Sequence, residues 1–476
     1  MNFIKERGKE IMRKSKKVIA LLLGMSMCAT CFSACGSGNN SSDPNASATP
    51  ADNSVNNGGD QKVNLADLAE FVKAAGVEMP KEVDNNADAQ KINLRVWGPT
   101  EEQTILTQLC ETFDKIHPEY DITWQIEAVP EKDAATTVSG DPQNSADVFF
   151  FAGDQLAQLV EAGYISEINS NIADQVKEEQ IEAAYEASVK DGKLYAIPFT
   201  ANLWYMFYNN SYYTKDEVQS LDTMMAKDLG KTDSGKDIYN FSIDISDGFY
   251  IASFFYAGGC TLYGENGDDP NSCDWAEEKG IKVVDYLSSL VDTGKFYKDN
   301  NADSIAGLED GSIAAYCTGS WNAKAIKERL GDKYAATVAP QITIDGKQSY
   351  LTPFADYKMI GVNSLCANQE AAQYLAQFLA QPYSQMIRIQ AREVQPTAKV
   401  LVDNPKLDFA TQYPAVQASL DQLSHTVNRP TTSQISYFWT PAGALGGSIY
   451  SKKDTVRNDD RAAYIQEKIV AKIVKH

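Results

Sequence analysis

Two hydrophobic periods alternate along most of this chain. Ile92-Asn93-Leu94-Arg95-Val96-Trp97 repeats every second residue, the pattern of a half-buried strand. From Glu101 to Ile116 the apolar residues Ile105, Leu109, Phe113 and Ile116 fall on one helical stripe, and His117-Pro118 stops it. Ile122 to Ile126 predicts a second strand and 132–139 a second helix. Ala146 to Phe151 is almost continuously apolar, which predicts a central strand covered on both faces; a helix follows over 155–162. Strands alternating with helices predict a parallel, doubly wound sheet.

The stretch Asp191 to Asn209 breaks that rhythm. It predicts a turn at Asp191-Gly192, a strand to Phe199 and a second strand from Trp204 to Tyr208. Pro198 cannot donate to a sheet ladder and belongs at a strand end or edge. An apolar strand that stops at Pro and restarts at once predicts a crossing between two sheets. Beyond it, helices are expected over 215–229, 247–256, 275–291 and from Trp321 to Leu330, with strands over 238–243, 311–317, 334–338 and 358–362. Paired helices run over 369–391, and from Phe409 the pattern is helical, with Trp439-Thr440-Pro441-Ala442-Gly443 as its one break. A body starting near Gln90 has about 390 residues, too many for a single core.

The first residues read as an export signal. Seven basic side chains, Lys5 to Lys17, precede a mostly apolar run from Val18 to Thr30, shorter than the ~20 residues a membrane-spanning helix needs. Met12 is an alternative start. Phe32-Ser33-Ala34-Cys35-Gly36 resembles a lipoprotein cleavage box, which makes Cys35 the candidate acylated N-terminus. Residues 35–62 are Asn, Ser, Gly, Asp and Pro with little to bury, a tether. Residues 63–89 hold a short amphipathic helix, with Leu65, Leu68, Val72 and Ala75 at helical spacing, that docks on the body or belongs to the tether.

Net charge is −21; residues 1–34 carry seven basic and two acidic side chains, which leaves −26 on the remainder. So acidic a body repels nucleic acid and anionic lipid. The cysteines have no zinc spacing. Cys260 and Cys273 flank a Gly/Asn/Asp-rich loop and either pair or stand as separate buried residues. Gly230 to Lys236 imitates a phosphate loop but has Asp237 where Ser or Thr is needed, and 299–303 imitates a calcium loop with Ser304 at the glycine position. No metal and no cofactor is expected.

Several stretches together resemble one family. Gly192-Lys-Leu-Tyr-Ala-Ile-Pro198, followed by Tyr208-Asn209, is similar to the first interdomain crossover of the solute-binding proteins that serve bacterial sugar ABC importers, the maltose-binding-protein group. Ala146 to Asp154 resembles their strand end with a sugar-contacting aromatic and a carboxylate, here Phe151 and Asp154. Gly311 to Trp321 and Ser436-Tyr437-Phe438-Trp439 resemble the segments whose Trp is a stacking platform, and Gly248-Phe249-Tyr250 falls where further aromatics stand. Asn202 replaces a Glu and Gln155 an Arg of maltose-binding protein, so the sugar stays open.

The resemblance implies a two-lobed α/β fold, the type II periplasmic-binding-protein architecture, with crossovers near 200–204, 355–361 and 402–407. The implied lobes are 90–200 with 361–405, and 205–354 with 408–476. It implies a monomeric, lipid-anchored extracellular protein that is not an enzyme. It would capture an oligosaccharide, most closely a maltodextrin, by hinge closure and deliver it to permease subunits. A pyranose offers flat C–H faces to aromatic rings and a hydroxyl rim to amides and carboxylates. The candidate ligand residues are Trp97, Glu101, Phe151, Asp154, Asn202, Trp204, Tyr205, Phe249, Tyr250, Trp321 and Trp439. The alternatives are a carbohydrate-active enzyme, a sensor or an adhesin on the same scaffold. No serine-hydrolase elbow and no zinc-protease motif occurs.

Overall fold

The computed structural model describes residues 62–84, 88–300 and 302–474. The export signal, Cys35 and nearly all of the tether lie outside the described residues.

The strands that matter are β1 (Gln90–Gly98), β2 (Tyr120–Ala128), β3 (Val148–Ala152), β4 (Ala196–Ala201), β5 (Trp204–Asn209), β6 (Phe241–Ile243), β7 (Phe296–Lys298), β8 (Ala315–Gly319), β9 (Tyr334–Thr337) and β10 (Tyr357–Val362). They form two five-stranded sheets, β2-β1-β3-β10-β4 and β9-β5-β8-β6-β7. In the first, β1 runs parallel to β2 and β3, and β10 enters antiparallel between β3 and β4. In the second, β8, β6 and β7 are parallel, and β5 is antiparallel to β8 and β9. Each sheet therefore receives one antiparallel strand from the chain arriving out of the other. The helices used below are α1 (Leu65–Ala75), α2 (Gln103–Ile116), α3 (Gly248–Ala257), α4 (Ala323–Leu330), α5 (Gln369–Ala380), α6 (Pro382–Arg392), α7 (Pro414–Gln422) and α8 (Trp439–Tyr450).

Burial follows the pleat. On β3, Phe150 enters the core beneath α2, α5 and α6, while Phe149 and Phe151 enter the core on the opposite face. On β5, Trp204, Met206 and Tyr208 face one core, Tyr205 and Phe207 another. Both strands are buried throughout, as their unbroken apolar sequences demand. β4 is an edge strand, and Pro198 sits at a register shift against Lys358 and Met359, where a missing N–H is tolerated.

The extension before β1 belongs to the body. Leu68, Val72 and Ala75 of α1 are buried, with α1 lying against α6. The Val63 backbone exchanges hydrogen bonds of 2.9 and 3.0 Å with the buried Gln108 side chain of α2.

Three expectations change, and one left open is decided. The chain still occupies the core of the first sheet at Leu407 and Phe409, and α7, with Val416 in that core, packs on β5 and β9. The third crossing thus falls at 409–418, not at 402–407, because the apolar side chains around Phe409 are drawn into the first core. Trp439 to Gly443 is not a break but the first turn of α8, where Pro441 is accepted because no N–H is needed there. The helix expected from Trp275 begins at Glu278; Trp275 stacks on Phe255 at 3.7 Å instead. Cys260 and Cys273 are free thiols, and burial pushes both up to about 12.

Candidate functional site

Strand ends of both sheets converge where the chain crosses between them. From the second sheet, β8 ends at Gly319 and the turn Ser320–Asn322 carries Trp321 into α4. A Cβ on Gly319 would overlap the Trp321 indole, so glycine lets the ring lie back over the strand end. The Phe249 ring, in the first turn of α3, stands 6.4 Å from that of Trp321. The same turn touches Trp439: a Cβ on Gly248 would come within 2.9 Å of the Trp439 carbonyl oxygen. Phe249, Trp321 and Trp439 are all half-buried beside one helix start.

The first sheet supplies charge. β3 ends in the turn Gly153–Gln155, and β10 begins beside Asp356. Arg429 donates to the Asp356 carboxylate at 3.1 Å and to the Gly153 carbonyl at 3.0 Å. Asn202, in the first crossing, donates its amide to the other Asp356 oxygen at 3.2 Å. The Trp439 indole, from the other lobe, is a near neighbour of the Asp154 carboxyl. Burial, and then the charge of Asp356, push Asp154 up to about 7 against the opposing pull of Arg429. One guanidinium ties the two sides together: Arg392 donates to the Glu101 carbonyl at 2.6 Å and to the Trp321 carbonyl at 2.9 Å.

The remaining candidates lie elsewhere. Phe151, Trp204 and Tyr205 have no exposed surface and fill cores. The physical reason is that all three sit inside strands covered on both faces, so as placed none offers a ring to a ligand. Trp97 is 7% exposed, its ring packed in a core and its indole N–H donating to Glu127 at 2.7 Å. Tyr250 is buried against Trp204, 5.5 Å away. Glu101 and Asn202 are half-buried at the edge of the charged group.

Sequence reasoning missed Glu131, Asp356, Lys358 and Arg429. Lys358 left a signal, a lone cation in the otherwise apolar strand Tyr357-Lys358-Met359-Ile360-Gly361-Val362. Glu131 left none, since Pro130-Glu131-Lys132 reads as any surface turn.

The profile of a family described as bacterial extracellular solute-binding protein matches residues 108–418. The chain belongs to that family. It is 25% identical over 403 residues to the galactooligosaccharide-binding protein of Bacillus subtilis (strain 168), covering 81% of this chain and 91% of the relative. A structure solved with acarbose shares 33% identity at a TM-score of 0.73, covering 80% of this chain and 98% of the other. A maltodextrin-binding protein from L. casei BL23, solved without ligand, shares 25% identity at a TM-score of 0.69, covering 81% and 100%. The fold is the two-lobed one of these solute-binding proteins, and this member is a binding protein, not an enzyme.

The Asp154 environment gives this solute-binding protein a pH signature. A carboxyl raised from 3.8 to about 7 binds its proton more tightly in the folded than in the unfolded chain. The contribution of Asp154 to stability must then fall as pH rises between those values. Asp154→Asn removes that dependence, so its stability relative to the parent should climb from pH 4 to pH 7 and level off above. Urea unfolding of both proteins across that range checks this, and a flat difference rules it out.

Proposed function

We propose that this solute-binding protein captures a neutral oligosaccharide between its lobes, most closely a maltodextrin, and hands it to the permease subunits of an ABC importer. Residues 1–34 would direct export, and acylated Cys35 would hold the protein at the extracellular face of the cell membrane, as a monomer on its tether. The observation that carries the reading is the pair of half-buried rings Phe249 and Trp321 on one lobe, with the half-buried Trp439 at the same helix start, set against Asp154, Glu131 and Lys358 of the other. Rings beside paired donors and acceptors are what a pyranose needs. A ligand touching both lobes favours the closed state; one touching a single lobe shifts nothing.

Relatives named for maltotriose and galactooligosaccharide binding support the substrate class. The B. subtilis relative favours a galactooligosaccharide as the second reading. Calorimetric titration with maltotriose, longer maltodextrins and galactooligosaccharides tests both. A micromolar Kd, about −8 kcal/mol, is expected with at least one series. Heat with the galactosides alone rejects the maltodextrin assignment, and no heat with any rejects the class. Mass spectrometry of the cell-bound protein tests the anchor, which an unmodified Cys35 would exclude.

A further inference from the structure

Lys358 and Glu131 form an ion pair at 2.8 Å between side chains only 12% and 9% exposed. They come from different elements of the first lobe, β10 and the turn Glu131–Asp133 after β2. The Lys358 ammonium stands 5.4 Å from the centroid of the Trp321 ring, which the second lobe supplies. As the lobes stand, a cation rests on an aromatic face that is also held from behind, by Arg392 on its carbonyl.

The pair is braced. Gln155, in the turn after β3, donates its amide to the Glu131 carbonyl at 2.7 Å and accepts from the Ala135 N–H at 2.7 Å. Its free valences are those of a receptor. An ammonium has three N–H groups, and among the described residues Glu131 is the one acceptor that Lys358 reaches. Only one Glu131 oxygen is engaged by Lys358, which leaves the second able to accept. A donor and an acceptor side by side, beneath a flat apolar plate, match two neighbouring hydroxyls on the rim of a ring whose C–H face lies on that plate.

We propose that Glu131 and Lys358 form a hydroxyl-reading subsite for the sugar ring that stacks on Trp321. Lys358 donates to one hydroxyl oxygen, and Glu131 accepts from its neighbour. When the lobes part, the indole lifts off the ammonium; when they close, the sugar ring takes the ammonium's place against the indole. The pair then sets which ring configuration is accepted at that position, beyond the affinity the rings supply. This rests on the oligosaccharide reading above.

The test compares the parent protein with Lys358→Met, Glu131→Gln, the double variant and Lys358→Arg. Each is titrated with maltotriose and with β-1,4-galactotriose, and each is melted without sugar. Each neutral single variant is expected to weaken the tighter trisaccharide about 10-fold or more, the loss of a charge-assisted hydrogen bond. Lys358→Arg, which keeps the donors, should recover to within roughly threefold of the parent on the same scale. Should a single variant fail to fold because its partner charge is left buried and alone, the double variant carries the comparison. Unchanged affinity overturns the subsite. So does tighter binding, which would make the ammonium a competitor for the indole face. So does an affinity loss that merely tracks the loss of melting temperature across the variants. If the folded parent binds neither trisaccharide, the oligosaccharide reading fails first and the subsite falls with it.

Discussion

Arg388→Met is expected to destabilise the folded protein by about 3–5 kcal/mol, the usual result of stripping one partner from a buried ion pair. Arg388 is fully buried in α6. Its Nε donates to the Glu102 carboxylate at 2.9 Å and its Nη1 to the Leu379 carbonyl at 2.6 Å. The guanidinium carbon lies 4.7 Å from the Phe199 ring centroid and 5.4 Å from that of Phe150. Methionine fills similar space but leaves the Glu102 charge buried with no counterion. The double replacement Arg388→Met with Glu102→Leu removes both charges and should recover most of the loss. Urea unfolding of the three proteins measures it; a single-variant loss under about 1 kcal/mol would mean that water reaches Glu102 and the pair carries little.

The consequence extends to the site. Arg388 and Arg392 are four residues apart and so lie on one face of α6. One holds Glu102, and the other holds the carbonyls of Glu101 and Trp321. Loosening the first should therefore loosen the turn Thr100–Glu102 on which the second depends.

Trp321→Ala is expected to weaken the tightest oligosaccharide by about 2 kcal/mol, roughly 30-fold in Kd, the scale of a central aromatic contact. Trp321 is half-buried, with the Phe249 ring 6.4 Å to one side and Lys358 5.4 Å above its face. Trp204→Phe is the contrasting variant. Trp204 is fully buried in the second-lobe core and packs on Tyr250. Its replacement should lower stability by a cavity's worth, about 1–3 kcal/mol, with affinity unchanged. Calorimetry and thermal melting on both variants separate the roles. Full affinity in Trp321→Ala would remove the stacking platform from the site.

The first crossing between two sheets was legible because its deciding elements announce themselves locally. Phe149-Phe150-Phe151 lacks alternation, and β3 lies in the middle of its sheet. Pro198 could not sit in a ladder interior, and β4 is the edge strand from which the chain leaves for the second sheet. The passage at Phe409 was not legible, since a helix that packs on one lobe has the same period as one that bridges two.

The site was legible only in outline, for the same reason. A strand buried on both faces presents every aromatic alike, so nothing in 204–208 distinguishes a core ring from a binding ring. Phe151, Trp204 and Tyr205 therefore read like Phe249, Trp321 and Trp439, and only packing tells them apart. Glu131 and Lys358 are 227 residues apart, and no local pattern joins such a pair. Periodicity and proline, acting over a few residues, determined by themselves most element types, the α/β alternation and the first crossing. Which rings stay open to a ligand, which carboxyl meets which cation, and where the chain crosses for the last time were decided by tertiary packing alone, because each depends on surfaces that distant segments bury together.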